Sequence, residues 1–360
     1  PIDRAQNTFR WGALLSRQAA GGRHAFTFGG EVARLQLNGI ETNNQRGYYQ
    51  FTNNFGNLAL ENLRWGRPSI YEATVGELAR GFRNLSASAF FGDRWKLAPR
   101  LQVYYGLRYE LLTAPVEVDG LTRIPYGCDC NNFSPRFSIA WQPGGGWVVR
   151  TSYSVSFGEI LPVTWQQARN NLPGVRYVQV MNPDITDPLR GINLKDPGGR
   201  TSPTVLSPDM VSPYSHQYNL SFERKLLDRY QVRAGYVGSR SFKLLNAYVQ
   251  NRAEFVPGIE PTTANVDQRR PDPRYYDIKR ILNGGIAYLD AAQVAVESAA
   301  RKGFAWSASY TFGKAIDEGS EYAFTAANKD LSTARSQLQY DSLKDKKGLS
   351  TFDSTHALLV

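Results

Sequence analysis

The sequence predicts an all-β chain: an antiparallel, up-and-down transmembrane β-barrel, present in part, with about thirteen strands. Three observations predict it. Strand-length segments alternate between an aromatic or aliphatic parity and a small or polar one. The charges of the clearest segments keep to the polar parity. In an up-and-down arrangement the short turns gather at one end and the long loops at the other.

Residues 131–160 show the alternation best. They read NNFSPRFSIAWQPGGGWVVRTSYSVSFGEI. Phe133, Pro135, Phe137, Ile139 and Trp141 share one parity, and Ser134, Arg136, Ser138 and Ala140 the other. Gln142-Pro143-Gly144-Gly145-Gly146 is a turn by composition, because Gly supplies positive φ and Pro pre-sets φ. Beyond it Trp147, Val149, Thr151, Tyr153, Val155 and Phe157 alternate with Val148, Arg150, Ser152, Ser154 and Ser156. Successive strand side chains point to opposite faces, so this is a hairpin with one apolar face and one Ser/Arg face. Such a hairpin suits a soluble sandwich or a membrane barrel, and other features must decide between them.

Composition narrows the classes. The 360 residues include 20 Tyr, 18 Phe, 7 Trp, 32 Gly and 19 Pro, which suits a turn-rich β protein. No run approaches the roughly 18 apolar residues of a membrane-spanning helix, which leaves strands as the route across a bilayer. The net charge of +10 is scattered, with no basic helix, so nucleic acid is not an expected partner. Three His and two Cys leave little material for metal or thiol chemistry, and neither metal nor cofactor is expected. Cys128 and Cys130 flank one residue. A bridge there would be strained, and the sequence favours two loop cysteines without a catalytic role. The chain starts in a polar segment without an initiator Met and ends in Ala357-Leu358-Leu359-Val360. It is expected to be an internal piece of a longer precursor whose signal peptide lies elsewhere.

In chain order, 8–17 is a first strand, 18–23 a turn, and 24–36 a second strand with Phe26, Phe28, Gly30 and Val32 on one parity. Residues 48–52 and 68–75 are two further strand candidates, with a short helix expected within 55–66. Strands follow at 85–97 and 101–110. In the latter Leu101, Val103, Tyr105, Leu107 and Tyr109 face away from Arg108 and Glu110. After the 131–160 hairpin come strands at 214–226, 230–238, 286–298 and 304–313, and a last one begins at 351. The turns 18–23, 97–100, 142–146, 227–229 and 299–303 then fall at one end. The loops 113–132, 158–213, 239–285 and 315–350 fall at the other, where they are expected to be extracellular. Only the 54–67 connection is forced onto the short-turn end. A soluble sandwich has no reason for this asymmetry, whereas an outer-membrane barrel does. Segments of roughly 9–13 residues also match a tilted strand crossing a bilayer. On this reading Ile139, Tyr153, Trp306 and Tyr310 face lipid, and Arg108, Arg136, Arg150 and Arg233 face the lumen, where Arg and carboxylate on neighbouring strands can pair.

Several blocks resemble those of TonB-dependent outer-membrane receptors. FGDRWKLAPRLQVYYGLRYE (91–110) is similar to a conserved receptor block. NNFSPRFSIAW (131–141), PYSHQYNLSFERKL (213–226), GYVGSRSFKL (235–244) and SYTFGKAID (309–317) resemble the Oar-like branch, whose members carry an N-terminal carboxypeptidase-regulatory-like domain. The similarity runs through most of 20–360. The closing FDSTHALLV departs from the branch's Asp-x-x-His-Arg pattern at Ala357. The resemblance implies a 22-stranded barrel, a plug domain and a TonB box. Residues 1–360 contain neither plug nor box and would be part of the barrel only.

The function this implies is TonB-energised uptake of a scarce solute, a siderophore, oligosaccharide or peptide, with outer-membrane lipid and TonB as partners. A non-transporting adhesion barrel is the alternative. An enzyme is not expected: the chain lacks a G-x-S-x-G pattern, and the carboxylates Asp317, Glu318 and Glu321 belong to a polar loop. A β-propeller would repeat every 40–45 residues or so, which the irregular strand spacing does not. Candidate solute contacts lie in the two longest loops, because long loops on a rigid scaffold usually carry function. Trp165, Tyr177, Tyr275 and Tyr276 offer stacking faces, and Gln166, Arg169 and Arg274 offer donors. The competing expectation is that these aromatics pack the loops against each other.

Overall fold

The computed structural model describes all residues except 1–2, 41, 43, 172–173, 195–200, 228, 263, 302 and 320–346. In order, β1 (Asp3–Ala19), β2 (His24–Ile40), β3 (Tyr48–Gln50), helix α1 (Ala59–Arg64), β4 (Ile70–Gly76), β5 (Arg80–Ala98), β6 (Leu101–Leu112), β7 (Val116–Glu117), β8 (Asp129–Gly144) and β9 (Trp147–Phe157) form the first part. Helix α2 (Pro162–Trp165), β10 (Val175–Met181), β11 (Thr204–Leu206), β12 (Tyr214–Leu226), β13 (Tyr230–Gln250), β14 (Ile278–Arg301), β15 (Phe304–Asp317), β16 (Gly348–Leu349) and β17 (His356–Leu359) follow. Among the described residues these make a 14-stranded sheet, ordered β1-β2-β5-β6-β8-β9-β12-β13-β14-β15-β16, and a separate three-stranded sheet, β10-β4-β3. β7, β11 and β17 join the large sheet off that path, on β5, β14 and β15. The large sheet is open, because β1 and the β15–β17 side are not paired with each other among the described residues.

The ladder follows the sequence pattern. Gly144, Gly145 and Gly146 all take positive φ (119°, 59° and 76°), which explains the glycine run at the β8–β9 turn. Because neighbours in register share a face, one apolar parity runs across the sheet. Tyr105 pairs with Phe137, Phe137 with Tyr153, Tyr153 with Tyr218, and Val294 with Tyr310. Among the described residues no second sheet covers this face: Phe137, Trp141, Tyr153, Phe222, Tyr310 and Phe312 are all exposed. An uncovered band of this size excludes a water-soluble sandwich.

Four expectations change. Two of the thirteen expected strands, 48–52 and 68–75, belong to the small sheet, so eleven remain in the wall. The 54–67 connection is not at the short-turn end. β2 rises to Ile40, the chain makes an excursion through β3, α1 and β4, and β5 starts beside it, with Gly39 opposite Arg80. The connection is therefore part of a long loop on the long-loop side. Third, the 239–285 loop is shorter than expected, because β13 runs to Gln250 and β14 begins at Ile278. Their ladder survives a bulge between Ser241 and Leu244 that disguises the alternation. Fourth, Cys128 and Cys130 are joined by a disulfide at the base of β8. Most of the expected 315–350 loop lies outside the described residues.

Candidate functional site

The long loops fold over the polar side of the sheet. Leu37 of β2 and Phe82 of β5 lie on that side near its long-loop end, and both are buried. With Tyr126, Ile160, Trp165, Leu206, Met210, Leu245, Ala247 and Ile281 they form one hydrophobic cluster. The cluster thus takes residues from 113–132, 158–213 and β13–β14. Trp165 is its centre. It is 1% exposed, and its ring meets Phe82 edge-on at 4.8 Å between centroids. Pro162 at the start of α2 is pre-set for a helical turn, which aims Trp165 inward.

The two largest loops are also joined by backbone and polar contacts. β11 runs parallel to β14, with Thr204 opposite Lys279, and Thr201 bridges to Tyr275. Lys279 Nζ donates to Gln167 Oε1 at 3.3 Å, and Asn283 Nδ2 donates to Val211 O at 2.8 Å. The 271–276 turn is held by Asn251, 5% exposed, whose amide donates to the carbonyls of Asp272, Tyr275 and Tyr276 at 2.9, 3.1 and 2.7 Å. Arg274 pairs with Asp272 at 2.8 Å, and its guanidinium lies 5.5 Å from the Tyr275 ring centre. The Arg274 side-chain and backbone hydrogen bonds hold the Asp272 carboxyl down to about 2.

The sequence-predicted contacts therefore separate. Trp165, Gln166 and Arg169 are buried together at α2 and the turn after it, and serve loop packing. Arg274 and Tyr276 are exposed at the 271–276 turn, with Tyr275 beside them half-buried. Tyr177 is exposed but sits on the small sheet, whose Tyr48, Glu72, Tyr177 and Gln179 share one face. There Glu72 accepts from Asn44 Nδ2 at 3.2 Å and from Gln179 Nε2 at 3.0 Å. Although the ring is about half exposed, partial burial of the hydroxyl, and then its hydrogen bond to Glu72, push the Tyr177 hydroxyl well above its usual range. The sequence reading missed the roles of Glu72, Gln179 and Asn251. Asn251 begins the polar stretch after β13, and that was the one available signal.

On the polar face, Arg108, Arg136, Arg150 and Arg233 share one parity. Arg108 meets Glu110 at 2.8 Å, and Glu223 lies between Arg150 at 3.8 Å and Arg233 at 3.6 Å. The expected cross-strand pairing is thus present around Glu223. Ile139, Tyr153, Trp306 and Tyr310 all lie on the opposite, uncovered parity. That parity is not free of charge, contrary to expectation. Asp93, fully buried, accepts from Tyr105 Oη at 2.9 Å and meets His24 Nδ1 at 2.7 Å. Arg240 and Asp290 pair on the same parity at 2.8 Å. Counting parity through 286–298 already puts Asp290 with Ala292 and Val294, so this was legible in the sequence. Among the described residues no group of three or more His, Cys, Asp or Glu side chains is placed to hold a metal ion.

An uncovered apolar face, a polar face capped by loops, and turns and loops segregated to opposite ends define an outer-membrane barrel wall. The family comparison agrees: residues 1–360 match the outer membrane beta barrel domain, and the chain belongs to that family, whose place is the bacterial outer membrane. Among solved structures it is similar to the outer membrane transporter YddB from Escherichia coli, at TM-score 0.54 and 15% identity, over 89% of this chain and 35% of that one. It is also similar to the ferric enterobactin receptor from Pseudomonas aeruginosa (TM-score 0.49, 10% identity, 87% of this chain and 39% of that one). A third is the FrpB iron transporter from Neisseria meningitidis (TM-score 0.48, 11% identity, 88% and 37%). The chain thus spans little more than a third of these structures. No curated protein sequence matches it.

Proposed function

We propose that this chain supplies barrel wall and loop rim to a TonB-dependent transporter of the Oar-like branch, which takes up a scarce solute such as a siderophore, oligosaccharide or peptide. The observation that carries the reading is the loop cluster. Two separate loops, 113–132 and 158–213, converge with the upper ends of β2, β5, β13 and β14 through one buried core on the polar face, which suits a rim that captures solute above a lumen. In this reading Ile139, Tyr153, Trp306 and Tyr310 face lipid, while Arg108, Arg136, Arg150 and Arg233 line the lumen. Solute first meets the exposed Arg274, Tyr275 and Tyr276 turn and the Tyr177 face of the small sheet. The buried Trp165, Gln166 and Arg169 hold those surfaces in place. No enzymatic step or cofactor enters, and TonB engages parts of the protein beyond these residues.

A second reading, a surface-interaction barrel that transports nothing, has one observation in its favour. Leu58, Leu60, Leu63 and Trp65, on and around α1, are all more than half exposed. The test uses the full-length protein in cells with and without TonB and measures accumulation of ferric siderophores, labelled oligosaccharides and peptides. TonB-dependent accumulation that falls in the Arg274→Ala/Tyr276→Ala variant, with insertion intact, supports transport at this rim. Accumulation of none of them by correctly inserted wild-type protein favours the second reading.

A further inference from the structure

The apolar face carries a group of charges that solute capture does not use. Register aligns Tyr218, Gly238, Asp290 and Lys314 across β12–β15, and His216, Arg240, Tyr288 and Ile316 in the next row. Both rows share the parity of Trp306 and Tyr310. Gly238 leaves room for the Tyr218 ring, which any Cβ there would strike. Arg240 is clamped by both oxygens of Asp290, at 2.9 and 2.8 Å, and Tyr236 donates to the same carboxylate. Three lysines surround this pair. Lys314 stands exposed beside Asp290. Lys347 places Nζ 4.6 Å from the centre of the Tyr288 ring, which the Arg240 guanidinium also approaches at 5.2 Å. Lys243, thrown outward at the β13 bulge with φ of 54°, places Nζ 5.9 Å from the Tyr214 ring. Among the described residues none of the three lysines makes an ion pair. Asp353 lies near Lys314, but its carboxylate already accepts from Ala315 N and Thr355 Oγ1. Four cations thus outnumber two occupied carboxylates.

The level of the group is as informative as its charge. Arg240 and Lys314 each lie about ten residues beyond the short-turn end of their strands. At about 3.3 Å per residue and a tilt of about 40°, that is about 25 Å, the height of the apolar band of an outer-membrane barrel. Below it the same face presents Phe312, Tyr310, Ala308 and Trp306 on β15, and Ala292, Val294 and Val296 on β14. The cations begin where the apolar band ends, at the end where the long loops leave.

We propose that Arg240, Lys243, Lys314 and Lys347 form an outward-facing site for the phosphate groups of an anionic lipid of the outer leaflet. The proposal rests on the reading of this face as lipid-facing. Lysine ammonium groups bind phosphate as point charges, and the Tyr214 and Tyr288 rings hold two of them at the membrane boundary. Asp290 and the carbonyls of Ser239 and Leu289, which accept from Arg240 Nη1 at 2.8 and 3.1 Å, hold Arg240 in one orientation, so its charge stays fixed beside the lysines, whose ammonium groups make the direct phosphate contacts.

The test places full-length protein in phosphatidylcholine nanodiscs containing a minor fraction of bisphosphorylated lipid A. Lipid retained after extraction is counted by native mass spectrometry. Wild-type protein is expected to retain lipid A over phosphatidylcholine. The Lys243→Gln/Lys314→Gln/Lys347→Gln variant is expected to lose roughly a hundredfold of that preference, since each of the three cations near an anionic surface contributes on the order of 1 kcal/mol and each 1.4 kcal/mol or so is a factor of about ten. Lys314→Gln alone should lose part of it, and Arg224→Gln, at the short-turn end of the same face, none. Undiminished retention by the triple variant, or an equal loss in Arg224→Gln, overturns the proposal. So does displacement of lipid A by inorganic phosphate alone, which would mark a free-anion site. Quenching of Trp306 fluorescence by brominated phosphatidylcholine in the same discs separates two failures. Quenching without lipid A preference defeats only this site, and no quenching defeats the lipid-face reading beneath it.

Discussion

Replacing Trp165 by Ala asks whether this side chain holds the loops or meets solute. Trp165 is 1% exposed and packs edge-on against Phe82 at 4.8 Å, among Tyr126, Ile160, Leu206 and Ile281. Truncating a buried Trp to Ala costs about 3–5 kcal/mol. The loss falls on the loop cluster, because the ladder hydrogen bonds of the wall do not depend on this ring. Each 1.4 kcal/mol or so is a factor of about ten, so the opened loop state should rise at least about a hundredfold. When reclosing is fast relative to cleavage, protease susceptibility follows that population. The assay is limited proteolysis of the full-length protein in vesicles, with insertion monitored separately by the gel shift on heating. Trp165→Ala should insert normally and be cut within 158–213 and 251–277 at least about a hundred times faster. Tyr276→Ala, truncating a ring already 43% exposed, should change the cutting rate by much less. Unchanged protection in Trp165→Ala would refute the packing argument.

Three further outcomes follow from the same geometry. Glu223→Gln removes the carboxylate between Arg150 and Arg233. The arginines are about half exposed, so the loss should be about 1 kcal/mol or less, read as a small drop in the urea midpoint that vanishes when salt is added. Asn251→Leu leaves three carbonyls without their donor, and amide exchange at 272–276 should quicken, corresponding to a local loss of about 1–3 kcal/mol; protection equal to wild type would contradict the hydrogen-bond assignment. Asp272, with a folded pKa of about 2 against an unfolded value near 3.8, contributes stability to its turn that is fully present above the unfolded value. That contribution is lost as pH falls through about 2, so exchange protection of the turn should persist to about pH 3; loss already near pH 5 would disprove the pairing.

What the sequence shows depends on whether the information is local. The 131–160 hairpin was legible because parity and a Pro-Gly turn are local properties, and both survive in β8 and β9. The small sheet was not legible. β3 is three residues long, and its partner β4 also pairs with β10, a hundred residues further along the chain. No pattern in 48–50 names such a partner. The bulge after Ser241 hid the upper ladder of β13 and β14 by shifting the alternation one step. For the candidate site, loop proximity was legible from loop length. The burial of Trp165 was not, because an aromatic in an irregular loop has the same sequence signature whether it packs or stacks. The Arg240–Asp290 pair lay in plain parity, and its level on the face became clear only with the strand ends in place.

A barrel wall is defined by which face of the sheet meets lipid. A spin-label scan along β15, from Phe304 to Gly313 in the full-length protein in bilayers, measures this directly through collision with oxygen, which concentrates in the membrane, and with a water-soluble nickel chelate. Labels at 304, 306, 308, 310 and 312 should collide with oxygen, and those at 305, 307, 309, 311 and 313 with the chelate, alternating with a period of two. The opposite phase, or accessibility that does not alternate, would contradict the account.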